Sequence, residues 1–202
     1  MLSWRSLRGF TLVEISITLA IASILLFLAM PAFSGWVANA KVRTATETLQ
    51  NAIRAAQTEA VRRGRQTAFV RTNADPAPGA TAHAGGRNWY IQALPLFPGE
   101  VVDTPFVQGG SFGGVASGVT IDSGTVAVVC FNSIGRLVAN TASVTGLSED
   151  CPVPGAASAY MWTYDATAPG ANRTLEIQVG LAGNIRMCDK SRTLSTTHPD
   201  GC

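Results

Sequence analysis

The sequence predicts an α+β fold in which one long N-terminal helix precedes a β-rich domain. The first observation behind this prediction is a run of 26 residues, 15–40, that is rich in apolar residues and contains no charged side chain. The second is a change of composition after Gly64, where helix-forming residues give way to β-branched and aromatic residues separated by Gly and Pro. With 47% apolar residues, 14% charged residues and a net charge of +2, the chain is neither disordered nor attracted as a whole to nucleic acid or anionic lipid.

The first half of the helix, residues 10–33, is long enough to cross a bilayer, whose hydrocarbon core of about 30 Å requires about 20 apolar helical residues. Arg5 and Arg8 precede the apolar run, and the positive-inside rule therefore predicts a cytoplasmic N-terminus. We expect a single-pass inner-membrane protein whose C-terminal domain lies in the periplasm.

Two residues interrupt this apolar segment. Glu14 places a carboxylate near its start, and an ionised carboxylate in lipid costs several kcal/mol unless it has a partner. The alternative interpretation is a signal anchor in which Glu14 lies at the membrane interface. Pro31 removes one helix hydrogen bond, which by itself indicates a bend where the helix leaves the membrane.

The second half of the helix, residues 34–64, is amphipathic. Its apolar residues recur at three- and four-residue spacing and form one stripe, which predicts a helix face that packs on the domain. The stripe consists of Val42, Ala45, Leu49, Ala52, Ile53, Ala56 and Ala60. Glu59 is placed to pair with Arg63 one turn later, and Gly64 is a suitable C-terminal cap.

Residues 65–202 form the β-rich globular domain. Strands are predicted at 66–71, 88–94, 125–131, 160–164, 174–179 and 184–187, and the last two form a hairpin through the turn at 180–183. Loops are predicted around 75–86, 95–118 and 141–155.

Four cysteines lie in this domain and none precedes it, which predicts two disulfides in an oxidising compartment. Of the three pairings, we favour the two that join sequence neighbours, Cys130–Cys151 and Cys188–Cys202, the second of which would close the C-terminal tail. The chain contains no CxxC pair, and its two histidines stand at no ligand spacing. The sequence therefore predicts no metal and no cofactor.

One segment matches a catalytic pattern. Residues 109–113 fit G-x-S-x-G around Ser111, and Asp189 and His198 follow in the chain order of a hydrolase. A nucleophile elbow also requires a helix after the serine, and residues 114–119 make a poor helix start. We interpret the segment as a flexible surface loop and expect no enzyme, with a membrane-anchored hydrolase as a remote alternative.

Two basic clusters remain, and such clusters are usually solvated surface. The first comprises Arg62, Arg63, Arg65 and Arg71 around the end of the helix. The second comprises Arg186, Lys190 and Arg192 in the tail.

Residues 9–14, G-F-T-L-V-E, followed by the apolar run, closely resemble the class III signal of type IV pilins and pseudopilins. The resemblance implies that residues 1–9 are a leader, that prepilin peptidase cleaves between Gly9 and Phe10, and that Phe10 is then N-methylated. It also implies that Glu14 pairs with the terminal ammonium of a neighbouring subunit, and that Pro31 marks the place where such helices kink in filaments.

The domain resembles the GspH/FimT/FimU group of minor pilins and pseudopilins at residues 57–64, 131–136 and 183–188. This resemblance implies a pilin-like fold, with the long helix packed against antiparallel sheet, and no catalytic activity. We expect a minor pilin of a type IV pilus, in its tip or priming complex, or alternatively a type II secretion pseudopilin. The implied partners are prepilin peptidase, other major and minor pilins or pseudopilins, the inner-membrane assembly platform and membrane lipid.

DNA uptake is a further alternative. In FimT-like pilins that take up DNA, a C-terminal G-R-x-R motif supplies phosphate contacts, whereas residues 183–186 here read G-N-I-R. The first arginine is absent; Arg186 carries over, with Lys190 and Arg192 as auxiliaries. We therefore treat DNA as a doubtful partner.

Overall fold

One helix, α1 (Leu12–Arg63), dominates the computed structural model, which describes residues 9–114, 116–159 and 161–202. Thr11 caps its N-terminus, with Oγ1 accepting a hydrogen bond from the Glu14 N–H at 3.2 Å. Gly64 ends it in the left-handed conformation at φ 63°, as predicted. The helix begins two residues later than residue 10 because Thr11 is extended. Arg5 and Arg8 lie outside the described residues.

Eight strands form two antiparallel sheets of four strands each. The first sheet has the order β3-β2-β1-β5 and comprises β1 (Thr67–Thr72), β2 (Asn88–Ala93), β3 (Phe106–Ser111) and β5 (Val128–Phe131). The second has the order β4-β6-β7-β8 and comprises β4 (Thr120–Asp122), β6 (Met161–Thr167), β7 (Leu175–Gly180) and β8 (Ile185–Asp189). A short helix, α2 (Ala142–Thr145), and a 3₁₀ turn (Ala156–Ser158) lie between β5 and β6.

All six predicted strands are present, and β7 and β8 form the expected hairpin. Residue 160, the predicted start of β6, lies outside the described residues. The loop predicted over 95–118 is wrong in part, because it contains β3. Gly109 and Gly110 have low strand propensity, yet a Cβ at Gly110 would lie 2.8 Å from the Trp89 ring. The neighbouring strand thus requires glycine where local propensity argues against a strand.

The main core lies between the second half of α1 and both sheets. All seven residues of the predicted stripe are buried, at 3% exposure or less. They pack against Phe69, Ile91 and Phe131 of the first sheet and against Tyr164 and Ile177 of the second. Helix α1 therefore packs against antiparallel sheet, as the resemblance implied, and contacts two sheets rather than one.

A smaller core covers the opposite face of the first sheet. Because side chains alternate along a strand, Ala68 and Val70 of β1 point away from α1 and pack with Tyr90, Leu94 and Leu147. Strand β1 is buried along its whole length for this reason.

The two sheets are joined at the far end of α1 by Gln57. Its Nε2 donates to the carbonyl oxygens of Gly135, at 2.7 Å, and Gly183, at 2.6 Å. Gly135 follows β5, and Gly183 is in the β7–β8 turn. A Cβ at Gly183 would lie 2.0 Å from the Gly135 oxygen, so this close approach requires glycine.

Arg71 corrects the prediction of a solvated cluster at the end of the helix. It is 2% exposed and donates to Ser123 Oγ at 3.0 Å, to the Ile121 carbonyl at 3.0 Å and to the Gly86 carbonyl at 3.1 Å. Burial lowers the pKa of its guanidinium. Arg71 therefore ties β1 to the segment around β4 from inside the protein.

Candidate functional site

The N-terminal half of α1 projects from the domain without a covering surface. From Phe10 to Trp36 its large apolar side chains are between 46% and 86% exposed. They include Phe10, Leu12, Val13, Ile15, Ile17, Leu19, Ile21, Ile24, Leu25, Leu26, Phe27, Leu28, Met30, Phe33 and Trp36. Among the described residues, α1 is the one helix long and apolar enough to cross a membrane. The core helix of a soluble protein can be equally long and apolar, but such a helix is mostly buried. The most apolar stretch of α1 is not buried at all.

Helix α1 is continuous from the exposed half to the buried half. No break occurs at Pro31, which lies inside the helix. A secretory signal that is cleaved off does not continue as the principal helix of the folded domain. The exposed half is therefore a permanent element of the protein in this fold.

The residues of the predicted processing site lie at the free end of this helix. Gly9 and Phe10 are exposed and precede the cap residue Thr11, in a segment that is neither helix nor strand. A Cβ at Gly9 would meet no atom within 4 Å. The Gly9–Phe10 bond is thus sterically open to a protease.

Glu14 lies in the first turn of α1 and is exposed along with its apolar neighbours. Within the described part of the chain, no basic side chain forms an ion pair with its carboxylate. The helix dipole favours a negative charge in this first turn, but that effect is small compared with desolvation in lipid. Without a partner, this carboxylate would be unfavourable in lipid.

The structure contains two disulfides, Cys130–Cys151 and Cys188–Cys202, and no free cysteine among the residues it describes. These are the two pairs that are nearest in sequence. Glu176 lies close to Cys188 and Cys202, but both sulfurs are bonded to each other and offer no thiolate to a metal.

The C-terminal tail is organised around Asp189, which is 1% exposed. Arg173 donates to its carboxylate at 2.8 Å, and Ser191 donates through both its N–H and its hydroxyl. Burial would raise the pKa of Asp189, but the hydrogen bonds from Ser191 and Arg173 outweigh it and lower the pKa. Gly201 pairs with Asp189 as a short parallel bridge, next to the disulfide of Cys202.

The three basic residues considered for DNA all have internal partners. Arg186 donates to the Gly201 carbonyl, and Lys190 forms ion pairs with Asp165 and, at 3.5 Å, with Glu176. The hydrogen bond to Asp165 raises the pKa of Lys190. Arg192 lies 3.1 Å from Asp200 and 3.8 Å from Asp189. Each of these cations therefore forms an ion pair with a carboxylate or a hydrogen bond to a carbonyl within the domain.

The arginines at the end of α1 also form ion pairs with carboxylates. Glu59 accepts from Arg63, as predicted, and also from Arg62, each at 2.5 Å. The hydrogen bond from Arg62, with that from Arg63, lowers the pKa of Glu59 to about 2. Arg65 pairs with Glu100 at 2.8 Å.

The hydrolase pattern is not assembled into a triad. Ser111 ends β3, so the prediction of a flexible loop is wrong at this residue, but its hydroxyl donates to the Arg87 carbonyl at 3.4 Å. No helix follows it in the described segments 112–114 and 116–119. Asp189 is bound to Arg173 and Ser191 in the other sheet, and His198 lies in the exposed tail.

These features define the class of the protein. Residues 4–30, which include the first part of α1, match the model of the prokaryotic N-terminal methylation motif. Residues 45–196 match the model described as type II transport protein GspH. The chain belongs to the GspH family, and it is a protein of the minor pilin and pseudopilin type.

Two solved proteins align with most of this chain. Type IV minor pilin FimU of Pseudomonas aeruginosa is 16% identical, with 74% of this chain and 94% of that chain covered and a TM-score of 0.46. Minor pseudopilin EpsH from the type 2 secretion system of Vibrio cholerae is 11% identical, with 74% and 97% covered and a TM-score of 0.42. No curated protein matches this chain in sequence.

The roles of three residues that are important for this arrangement were not predicted from the sequence. Gln57 and Arg173 act on partners more than a hundred residues away or across the tail, so no local pattern marks them. Trp36 stands at the end of the charge-free run, where an aromatic residue at a membrane boundary was a signal that could have been used.

Proposed function

We propose that this chain is a non-enzymatic minor pilin of a type IV pilus. In this proposal residues 1–9 are removed, residues 10–33 anchor the protein in the inner membrane, and residues 34–64 join the anchor to the periplasmic domain of residues 65–202. After extraction from the membrane, the same apolar segment packs in the filament core, in the tip or priming complex. Prepilin peptidase, other pilins and the inner-membrane assembly platform act on it in turn.

The exposed half of α1 is the observation that carries this proposal. The second half of the principal helix packs one apolar face on the domain, while the first half presents exposed apolar side chains on all faces. Burying apolar surface contributes about 25 cal/mol per Å², so this segment is stable only where lipid or other apolar helices cover it. A membrane-anchored subunit that transfers into a bundle of equivalent helices meets this requirement at both stages.

Glu14 supports the same proposal. A carboxylate without a partner in the described chain is unfavourable in lipid, but it gains one if a neighbouring subunit places a terminal amine beside it. Cleavage after Gly9 creates such an amine on Phe10, four residues before Glu14. Processing and assembly are then linked through one ion pair.

Fractionation followed by shearing tests this function. We expect the protein in the inner membrane, with its domain accessible to protease only after the outer membrane is opened, and also in sheared surface filaments. Ser111→Ala is the matched control, because we expect it to change neither location. Recovery in the cytosol, or absence from filaments that are otherwise assembled, would contradict the proposal.

A second candidate is a type II secretion pseudopilin, which the description of the matching family model favours. Deletion of the gene separates the two functions. Loss of surface pili with normal secretion of folded exoproteins supports the pilus, and the opposite result supports the secretion system.

A further inference from the structure

A cleft of about 650 Å³ lies between α1 and the second sheet, where the exposed half of the helix meets the domain. Trp36, Asn39 and Arg43 line it from one face of α1. Arg173, Asp189 and Asp200 line it from the domain and the tail. Its volume is within the range of small-molecule sites, about 300–1,000 Å³.

The position of the cleft along α1 places it beside a membrane surface. This step rests on the proposed function, in which residues 10–33 span the bilayer. A hydrocarbon core of about 30 Å centred on that segment ends near residue 32, since a helix rises about 1.5 Å per residue. The headgroup layer, about 5–7 Å thick, then reaches Trp36. An exposed tryptophan at this level is typical of membrane boundaries, and Trp36 lines the edge of the cleft that is nearest to the membrane.

The charges in the cleft are mixed rather than of one sign. Arg43 and Arg173 supply two cations, and Asp189 and Asp200 supply two carboxylates. At the rim, Glu47 pairs with Arg43, and Arg192 pairs with Asp200. A purely anionic or purely cationic ligand would meet repulsion from half of these groups.

The more exposed of these charges are able to exchange partners. The side chains of Arg43, Arg173 and Asp200 are 71%, 46% and 48% exposed, and the ion pair from Arg173 to Asp200 is long, at 3.4 Å. The exposed ion pairs Arg43–Glu47 and Arg173–Asp200 contribute little to stability, so a ligand with matching charges can replace them at small cost, while Arg173 keeps its ion pair with the buried Asp189 at 2.6 Å.

We propose that this cleft binds a zwitterionic phospholipid headgroup with a primary ammonium, phosphoethanolamine, from the leaflet next to the domain. The phosphate lies between Arg43 and Arg173, which are suited to phosphate oxygens. The ammonium donates to Asp200 in a charge-assisted hydrogen bond. The acyl chains follow the exposed half of α1.

Native mass spectrometry of the full-length protein in detergent tests this proposal. Dioleoyl phosphatidylethanolamine, phosphatidylcholine and phosphatidylglycerol are added separately at equal concentration, so that only the headgroup differs. We expect the ethanolamine lipid to be retained about threefold more than either of the others. The choline group cannot donate a hydrogen bond to Asp200, and the glycerol headgroup has no cation.

Two variants and one control assign the retention to the cleft. Asp200→Asn and Arg43→Gln change exposed side chains. We expect Asp200→Asn to remove the preference for the ethanolamine lipid, and Arg43→Gln to lower the retention of all three lipids, because all three carry the phosphate. Arg87→Gln, an exposed arginine outside the cleft, keeps both the preference and the retention. Equal retention of all three lipids, a preference for phosphatidylglycerol, or a preference unchanged in Asp200→Asn would overturn the proposal.

Flotation with liposomes of the same lipids separates this inference from the proposed function. We expect the parent protein and all variants to float, because residues 10–33 are unchanged. Flotation without a headgroup preference contradicts lipid binding in the cleft and leaves the membrane anchor unaffected. Failure of the parent protein to float contradicts the membrane anchor, and with it this inference.

Discussion

At the scale of single residues, the chemistry of this protein depends on groups whose partners are distant or missing. Glu14 has no ion-pair partner in the described chain, whereas Gln57 joins two turns that are far apart in sequence. We expect the first residue to act in assembly and the second to stabilise the fold. A substitution at Glu14, and one at Gly183 beside Gln57, test these two roles.

Glu14→Ala is expected to separate insertion from assembly. Removing a carboxylate from the apolar segment favours insertion into lipid, but the terminal amine of a neighbour loses its partner. The variant should reach the inner membrane at normal abundance and be strongly depleted from sheared filaments, as measured by quantitative immunoblotting of both fractions.

Glu47→Gln is the matched control for this experiment, because Glu47 is an exposed acid on the same helix and its ion pair with Arg43 contributes little. Wild-type amounts of the Ala variant in filaments would show that Glu14 has no role in assembly.

Gly183→Ala is expected to destabilise the domain by at least about 1 kcal/mol, because a side chain is strained at φ 90°. The added Cβ would also meet the Gly135 oxygen at 2.0 Å and push apart the two turns that Gln57 joins. Thermal unfolding of the full-length protein in detergent measures the effect. Gly155→Ala, where a Cβ meets nothing within 4 Å, should melt like the wild type. Equal melting temperatures for both variants would show that the close contact between Gly183 and Gly135 does not stabilise the domain.

At the scale of elements, the two halves of α1 differ in how they could be predicted. The buried stripe was predictable residue by residue because helical periodicity is a local property, and all seven positions are buried. Strand β3 was not, because its glycines are required by Trp89 on the neighbouring strand. Arg71 was misassigned for the same reason, since its partners around β4 are about fifty residues away.

The last turn of α1 predicts a dependence on acid. Because the folded protein holds the pKa of Glu59 at about 2, below its ordinary value of 4.5, this carboxylate contributes stability that is fully present above pH 4.5. That contribution is lost as the pH falls from about 4.5 to about 2. The melting temperature of Glu59→Gln should lie below that of the wild type at neutral pH, and the difference should shrink across this window. A difference that does not change with pH would contradict the role assigned to the Arg62 and Arg63 ion pairs.

At the scale of the whole molecule, the chain combines a fold whose class was predictable with surfaces that were not. The membrane-length segment, the amphipathic helix and the β-rich domain follow from composition and periodicity. The division into two sheets and the cleft beside Trp36 arise from contacts between distant segments. The proposed cleavage after Gly9 would remove Arg5 and Arg8 and leave 13 basic and 13 acidic side chains.

This balance predicts weak binding to DNA. Arg186, Lys190 and Arg192 are engaged with carboxylates or a carbonyl, so few phosphates can be neutralised. In a fluorescence titration of the full-length protein with duplex DNA at about 0.15 M salt, we expect affinity no tighter than about 10⁻⁵ M. Arg186→Ala should bind like the wild type and like the control Arg87→Ala. Tight binding that is lost only in Arg186→Ala would contradict this expectation and favour a role in DNA uptake.

The central claim is that the mature protein is a processed pilin subunit, and intact-mass measurement of membrane-purified protein tests it most directly. In a host that has prepilin peptidase, we predict a chain that begins at Phe10 and carries one N-terminal methyl group, whereas Gly9→Trp should retain residues 1–9 because the peptidase must accommodate the residue before the cut. A mature protein that begins at Met1, or at any residue other than Phe10, would contradict the account.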